Sequence, residues 1–150
     1  AGKDAAFEVD VPPGVAPAPD SAVPQIRGAP PVATGPTREV PLLKVAHARS
    51  GDKGDSSNIA IFCRKPEYVE HLRSVLTPER IAAEFAGLVA GPVVRYEAPG
   101  LSAFNFVLEN ALGGGGMASR RIDPQGKAYG QRALEMLVSV PQSWIGPSGT

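Results

Sequence analysis

A chain of 150 residues is long enough for one ordinary domain and too short for two. Its 43% hydrophobic content supports a core, while 15 Lys plus Arg against 15 Asp plus Glu leave no formal net charge. That balance excludes the global basic field that nucleic-acid binding relies on, and it gives an anionic membrane surface no hold.

The opening Ala1-Gly2-Lys3-Asp4 lacks the charged-then-apolar pattern of a secretory signal, so none is expected. Residues 1–38 contain eight of the sixteen prolines. Val11-Pro12-Pro13, Ala16-Pro17-Ala18-Pro19 and Ala29-Pro30-Pro31 exclude a helix or a central strand, because proline lacks the amide donor and fixes φ. The segment reads as a Pro/Ala-rich extended arm. It is either a linker or an arm laid on a partner, for which Phe7, Val9, Val11 and Ile26 are candidate anchors.

The folded domain is predicted over residues 39–141, with 142–150 as a tail. Pro41 to Ala46 reads as a strand, and Asn58 to Cys63 as a second one, with a polar loop from His47 to Asn58 between them. Cys63 is the only cysteine, so no internal disulfide is possible, and its apolar neighbours fit a reducing compartment. No apolar run is long enough to span a bilayer, and a cytoplasmic location is expected.

A helix is predicted from Pro66, with Tyr68, Val69, Leu72, Val75 and Leu76 on one face. A second starts at Thr77-Pro78, threonine as N-cap and proline at the first helical position, and stops at Gly87. Pro92 to Ala98 reads as a strand. A third helix is predicted from Ser102 to about Leu112, with Phe104, Leu108, Ala111 and Leu112 facing inward, ended by Gly113 to Gly116. Ala118 to Ile122 then reads as one arm of a hairpin about an Asp123-Pro124-Gln125-Gly126 turn. The alternation of Leu134, Met136, Val138 and Val140 favours a strand, whereas Tyr129 to Glu135 also suits a helix, and the pattern leaves both open. Strands and helices in this order indicate an α+β fold, and a ferredoxin-like split β-α-β arrangement accommodates them.

The chemistry concentrates in His47-Ala48-Arg49-Ser50-Gly51-Asp52-Lys53-Gly54-Asp55-Ser56-Ser57-Asn58. Arg49 and Lys53 suit a carboxylate or a phosphate, with Ser50 beside them. His47, Asp52 and Asp55 suit acid–base work or a hard cation. The alternative is a charged hairpin turn in which Asp52 and Asp55 satisfy backbone amides. The run is not a phosphate-binding P-loop, since the Gly-Lys-Ser/Thr order is missing. Gly113 to Gly116 reads as a connector or a site of close backbone packing. Asn105 and Glu109 read as a solvated pair on the third helix. Two histidines and one cysteine, far apart, predict no zinc site and no other metal centre.

The run from Val45 to Ile59 strongly resembles the C-terminal ferredoxin-like domain of the acyclic terpene utilization (AtuA) family. Leu88 to Tyr96, Asn105 to Leu108 and Ala111 to Gly115 extend the resemblance in the same order, over about residues 40 to 140. It implies a mostly antiparallel sheet with helices on one face. In that family the domain is usually fused behind a much larger one and sometimes stands alone. The resemblance therefore implies a small subunit that docks on a large AtuA-like subunit, a hetero-oligomer acting in catabolism of acyclic terpenoid acyl-CoA thioesters. It names neither a reaction nor a cofactor. Within it, His47 would move a proton, and Asp52 and Asp55 would fix the loop or orient the cations. Arg49, Ser50, Lys53, Asn58 and Asn105 would hold the thioester substrate or its anion. A non-catalytic assembly module with the same partner is the second expectation.

Overall fold

The computed structural model describes residues 35–146. Six strands and three short helices follow one another. They are β1 (Thr37–Pro41), β2 (Ala46–Lys53), β3 (Ser56–Cys63), α1 (Val69–Val75), α2 (Pro78–Glu84), β4 (Val93–Ala98), β5 (Ala103–Leu108), α3 (Tyr129–Glu135) and β6 (Leu137–Pro141). The main sheet has the order β2-β3-β5-β4, and β1 pairs with β6 in a separate two-stranded ribbon. Every pairing is antiparallel.

Strands β3 and β4 therefore run in the same direction with β5 inserted between them, and α1 and α2 connect them. This is the split β-α-β unit of a ferredoxin-like fold. From β3 onward the order is β-α-α-β-β-α. The strand that follows α3, β6, joins β1 instead, and the sheet edge beside β3 is filled by β2 from upstream. The α+β, ferredoxin-like architecture expected from the sequence is the one observed.

Several local expectations are corrected. Pro41 to Ala46 is not one strand: Pro41 ends β1, and Leu42–Lys44 form a single 3₁₀ turn closed by Val45 N–H donating to the Leu42 carbonyl at 3.0 Å. The polar stretch from His47 to Asn58 is not a loop but most of a β-hairpin, because strand pairing is indifferent to the polarity of a face left to solvent. The helix predicted from Ser102 is strand β5. Phe104, Phe106 and Leu108 are all fully buried, a period of two that the helical reading missed by passing over Phe106. Asn105 therefore lies on a strand, and Glu109 lies just beyond it. Residues 118–122 pair with no strand, although the turn after them forms, with Asp123 accepting from the N–H groups of Lys127 and Ala128 at 2.9 and 2.8 Å. The ambiguous C-terminal segment resolves into both readings in sequence, α3 then β6.

The helix start predicted at Thr77-Pro78 holds, whereas Pro66 opens a 3₁₀ turn, Pro66–Tyr68, that leads into α1 at Val69. Thr77 Oγ1 accepts the Arg80 N–H at 3.2 Å, with Pro78 first in α2. Gly87, at φ +82°, follows the end of that helix. Ile59, Ile61, Phe104, Phe106 and Leu108 from the sheet meet Leu72, Leu76, Ile81 and Phe85 from the helical side, all fully buried. Each such side chain contributes about 1.5–3 kcal/mol relative to exposure. Arg95 on β4 bonds to the Arg73 and Leu76 carbonyls at 2.7 and 2.8 Å, satisfying carbonyls at the end of α1. Beyond β6, Trp144 stacks on Tyr68 with ring centroids 3.9 Å apart. The extended-arm reading of residues 1–38 falls outside the described residues except for its last four.

Candidate functional site

In the β2–β3 hairpin, residues opposite one another share a face. The pairs His47–Phe62, Arg49–Ala60, Gly51–Asn58 and Lys53–Ser56 lie on one face. Ala46–Cys63, Ala48–Ile61, Ser50–Ile59 and Asp52–Ser57 lie on the other. Ile59, Ile61 and Cys63 are buried under the helices, so the second set is the inner face. The motif is split by parity between two environments.

The inner half is tied into the fold. Ser50 Oγ donates to the Lys127 carbonyl at 3.0 Å and accepts the Gly130 N–H at 2.8 Å, which pins the start of α3 to β2. Asp52 Oδ1 lies 3.7 Å from Lys127 Nζ. Ser57 is buried and donates to the Gly51 carbonyl at 3.1 Å. The hairpin turns at Gly54-Asp55, and Gly54 has φ +66°, the conformation that two-residue hairpins with glycine first require. Asp55 Oδ1 accepts from Gly114 N–H at 2.7 Å and Leu112 N–H at 3.3 Å. Its main-chain carbonyl takes the N–H groups of Ala111 and Leu112 at 2.9 and 3.0 Å.

The glycine run packs against that turn. A Cβ on Gly115 would stand 2.7 Å from the Gly54 carbonyl oxygen, so only glycine allows the approach. Close backbone packing, rather than a phosphate cradle, accounts for the run.

The outer half is different in kind. Among the described residues, the side chains of Arg49 and Lys53 make no hydrogen bond or ion pair, and both are exposed. His47 Nε2 lies 3.0 Å from Arg64 Nη1. Because a guanidinium only donates, that ring nitrogen accepts and the proton of the neutral imidazole sits on Nδ1. Asn58 Nδ2 donates to Asn105 Oδ1 at 3.2 Å across the β3–β5 pair. Among the described residues the Asn105 NH₂ donates to no partner.

The register carries the face across the whole sheet. Arg49, Ala60, Asn105 and Tyr96 form one row over all four strands, with Gly51, Asn58, Val107 and Val94 in the next. At the other end His47, Phe62, Ala103 and Ala98 form a third. Among the described residues no helix covers Tyr96, which is 55% exposed, while the small Gly51 and Ala103 in these rows are buried. Tyr96, Val94 and Phe62 joined the site unannounced, since strand pairing, which brings them there, is not written in a local motif. Arg64 joined it for the same reason.

The structure thus gathers His47, Arg49, Lys53, Asn58 and Asn105 on one open face. It sends Ser50 and Asp52 to the opposite face and Asp55 to the turn. The arrangement offers cationic and amide donors at one side of a flat platform and exposed apolar surface at the other. It suits an anionic group with an apolar extension, or a protein surface of that character. Among the described residues no group of three or more His, Cys, Asp or Glu comes together to hold a metal ion. No helix among them is long and apolar enough to cross a membrane.

A hollow of about 480 Å³ lined by Arg120, Arg121, Ile122 and Arg132 contains none of these outer-face residues. Its Arg121 and Arg132 are engaged with the Leu88 carbonyl and with Glu84.

The family model of the AtuA ferredoxin-like domain matches residues 40–139, the span of the sheet and all three helices. No curated protein and no solved structure matches the chain.

Proposed function

The chain belongs to the AtuA ferredoxin-like domain family, and from that premise we propose that it works as the small subunit of an AtuA-like complex acting on branched or acyclic terpenoid acyl-CoA thioesters. It presents the outer face of its four-stranded sheet to the active site or to the subunit boundary. The observation that supports this reading is the row Arg49–Ala60–Asn105–Tyr96, with a guanidinium that has no polar partner among the described residues at one end and an exposed aromatic ring at the other. Arg49 and Lys53 hold the anionic part of the ligand, Asn105 donates to a carbonyl or carboxylate oxygen, and the apolar rows carry the branched chain. His47, held by Arg64, is the group that moves a proton. Ser50, Asp52 and Asp55 serve by fixing the hairpin that carries these groups.

The second reading, a non-catalytic assembly module, is favoured by the exposed Val94 and Tyr96, which suit a protein interface. The test is reconstitution of the tagged chain with a large AtuA-like subunit, followed by sizing and acyl-CoA turnover. The catalytic reading expects Arg49→Ala to lower turnover while the complex still assembles. Loss of assembly with unchanged specific activity in the remaining complex supports the assembly module instead. Elution of the chain alone would sink both.

A further inference from the structure

The hollow of about 480 Å³ lies on the helical side of the sheet, between the residues just past α2, the segment 120–123 and the start of α3. Three guanidiniums line it, those of Arg120, Arg121 and Arg132, against a single carboxylate, that of Asp123. Both oxygens of that carboxylate accept main-chain N–H groups, from Lys127 and Ala128. Arg132 is paired with Glu84 at 3.2 Å. Arg120, which is exposed, and Arg121, which is half-buried, form no ion pair among the described residues.

Arg121 stands out among its own kind. The half-buried arginines of the described residues are Arg73, Arg95 and Arg121. Arg73 and Arg95 both pair with Glu97, at 3.1 and 3.3 Å. Arg121 meets only neutral acceptors: its Nη1 donates to the Leu88 carbonyl at 2.9 Å, to the Tyr129 hydroxyl at 3.2 Å and to the Ala111 carbonyl. A guanidinium taken partly out of water is costly without an opposite charge beside it. Its other edge, Nε and Nη2, has no acceptor among the described residues. Arg73 uses that same edge on Glu97, at 3.2 Å from Nε and 3.1 Å from Nη2. Such a fork matches a carboxylate. A Cβ on Gly113 would stand 3.1 Å from Arg121 Nε, so the glycine keeps a side chain off that nitrogen.

The remaining walls are apolar. Leu88 and Tyr129 line the hollow, and the Tyr129 ring rests on Phe85 with centroids 5.1 Å apart. Ile122 also lines it, yet its side chain is fully exposed, an apolar group with nothing over it among the described residues. The volume falls in the range of small-molecule sites, roughly 300–1,000 Å³. We propose that this hollow binds a small carboxylate with an apolar body, its carboxylate on Arg121 with Arg120 beside it, and its body against Leu88, Tyr129 and Ile122. A single negative charge suits the site, because Arg121 is the one half-buried cation left to offset.

The apolar hollow of about 430 Å³ beside Leu43 and Leu134 fits such a ligand less well, since the one charged residue in its lining is Glu135. The site at Arg121 shares no residue with the outer face of the sheet. It therefore stands whether or not Arg49 has the role given to it above.

The test is titration of the full chain with octanoate, read by NMR at the main-chain amides and at Arg121 Nε–H. It is run beside 1-octanol, which has the chain without the charge, and acetate, which has the charge without the chain. Octanoate binding about tenfold tighter than either, weakened by salt and shifting Leu88, Ile122 and Arg121 Nε–H, supports the site. Arg121→Lys keeps the charge and loses the fork, and should weaken octanoate about tenfold. Arg121 also ties three segments together, so Ile122→Glu, a change at a fully exposed side chain, gives a second measure. It should weaken octanoate about tenfold while the unfolding midpoint stays where it is. Octanol binding as tightly as octanoate overturns the carboxylate. Shifts confined to the outer face around Arg49 and Asn105, no saturable shift at all, or unchanged binding in Ile122→Glu overturns the site.

Discussion

The two faces of the β2–β3 hairpin are built from alternate residues of one run, Ala46 to Cys63, and do opposite things. At even positions of β2, Ser50 and Asp52 are bonded to Lys127 and Gly130 and hold α3 in place. At odd positions, Arg49 and Lys53 touch no polar partner among the described residues, and Asn58 reaches only to its neighbour Asn105. The contrast teaches that a motif dense in chemistry need not be one site. Its side chains are sorted by a period of two, one set serving to build and the other to present. Damage to the inner set should appear as lost stability, and damage to the outer set as lost binding with the fold intact.

The largest effect is expected where the inner face is tightest. Gly126 has φ +60°, and a Cβ there would lie 2.5 Å from Ser57 Oγ and 3.2 Å from Leu112. Gly126→Val combines a strained backbone with overpacking against a buried serine, and should cost about 3 kcal/mol in denaturant unfolding. An unchanged midpoint would mean that this side of the hairpin is not closely packed.

Next comes a pH dependence at the other end of the same face. Burial pushes the Cys63 thiol up from 9.0 to about 11. Between those values the unfolded chain has released the proton and the folded chain has kept it. Stability contributed by the neutral buried thiol is therefore fully present below pH 9, falls as pH rises, and is gone past about 11. The loss should amount to about 2 kcal/mol. Unfolding curves from pH 8 to 11 should show a steeper decline for the wild type than for Cys63→Ala. Parallel declines would show that the thiol is not shielded.

A smaller loss is expected at the turn. Asp55→Ala removes the carboxylate acceptor of Gly114 and Leu112 while leaving its main-chain bonds to Ala111 and Leu112 in place. About 1–2 kcal/mol should be lost, with faster exchange at the Gly114 amide. Asp55→Asn keeps one acceptor oxygen and should recover part of it. An Asp55→Ala variant as stable as the wild type would move Asp55 from the building set to the presenting set.

The sequence made some of this legible. Helix starts carry local chemistry, so the start of α2 could be placed from the Thr77 cap and the turn before α1 from Pro66. The fold class followed from the succession of elements, and the hairpin motif could be singled out for its density. The long-range pairings could not be read. Nothing local to Asn105 says that it sits beside Asn58, and nothing local to Tyr96 says that it ends the row that begins at Arg49. The mistaken third helix has the same origin. Phe104, Leu108 and Leu112 fit a helical stripe and Phe104, Phe106 and Leu108 a strand, and only the ladder with Ile59 and Ile61 decides between them. The roles of Gly115 and Gly126 were hidden because a glycine announces freedom but not the neighbour that requires it.

The smallest effect on stability, and the sharpest test of the comparison, belongs to Arg49. Its guanidinium is exposed and makes no hydrogen bond or ion pair among the described residues, so Arg49→Ala should shift unfolding by no more than about 0.5 kcal/mol. The same change removes the one charge at the head of the open row, so its cost should fall on whatever meets that face. Arg49→Glu goes further, replacing attraction by repulsion at the same point of the sheet. If the outer face presents a cation to an anionic group, association should weaken from wild type to Arg49→Ala to Arg49→Glu. The difference between the variants should shrink as salt is raised. A loss of about 2 kcal/mol in stability from Arg49→Ala would instead place this residue with Ser50 and Asp52, and the division of the hairpin into a building face and a presenting face would fail at the residue on which it most depends.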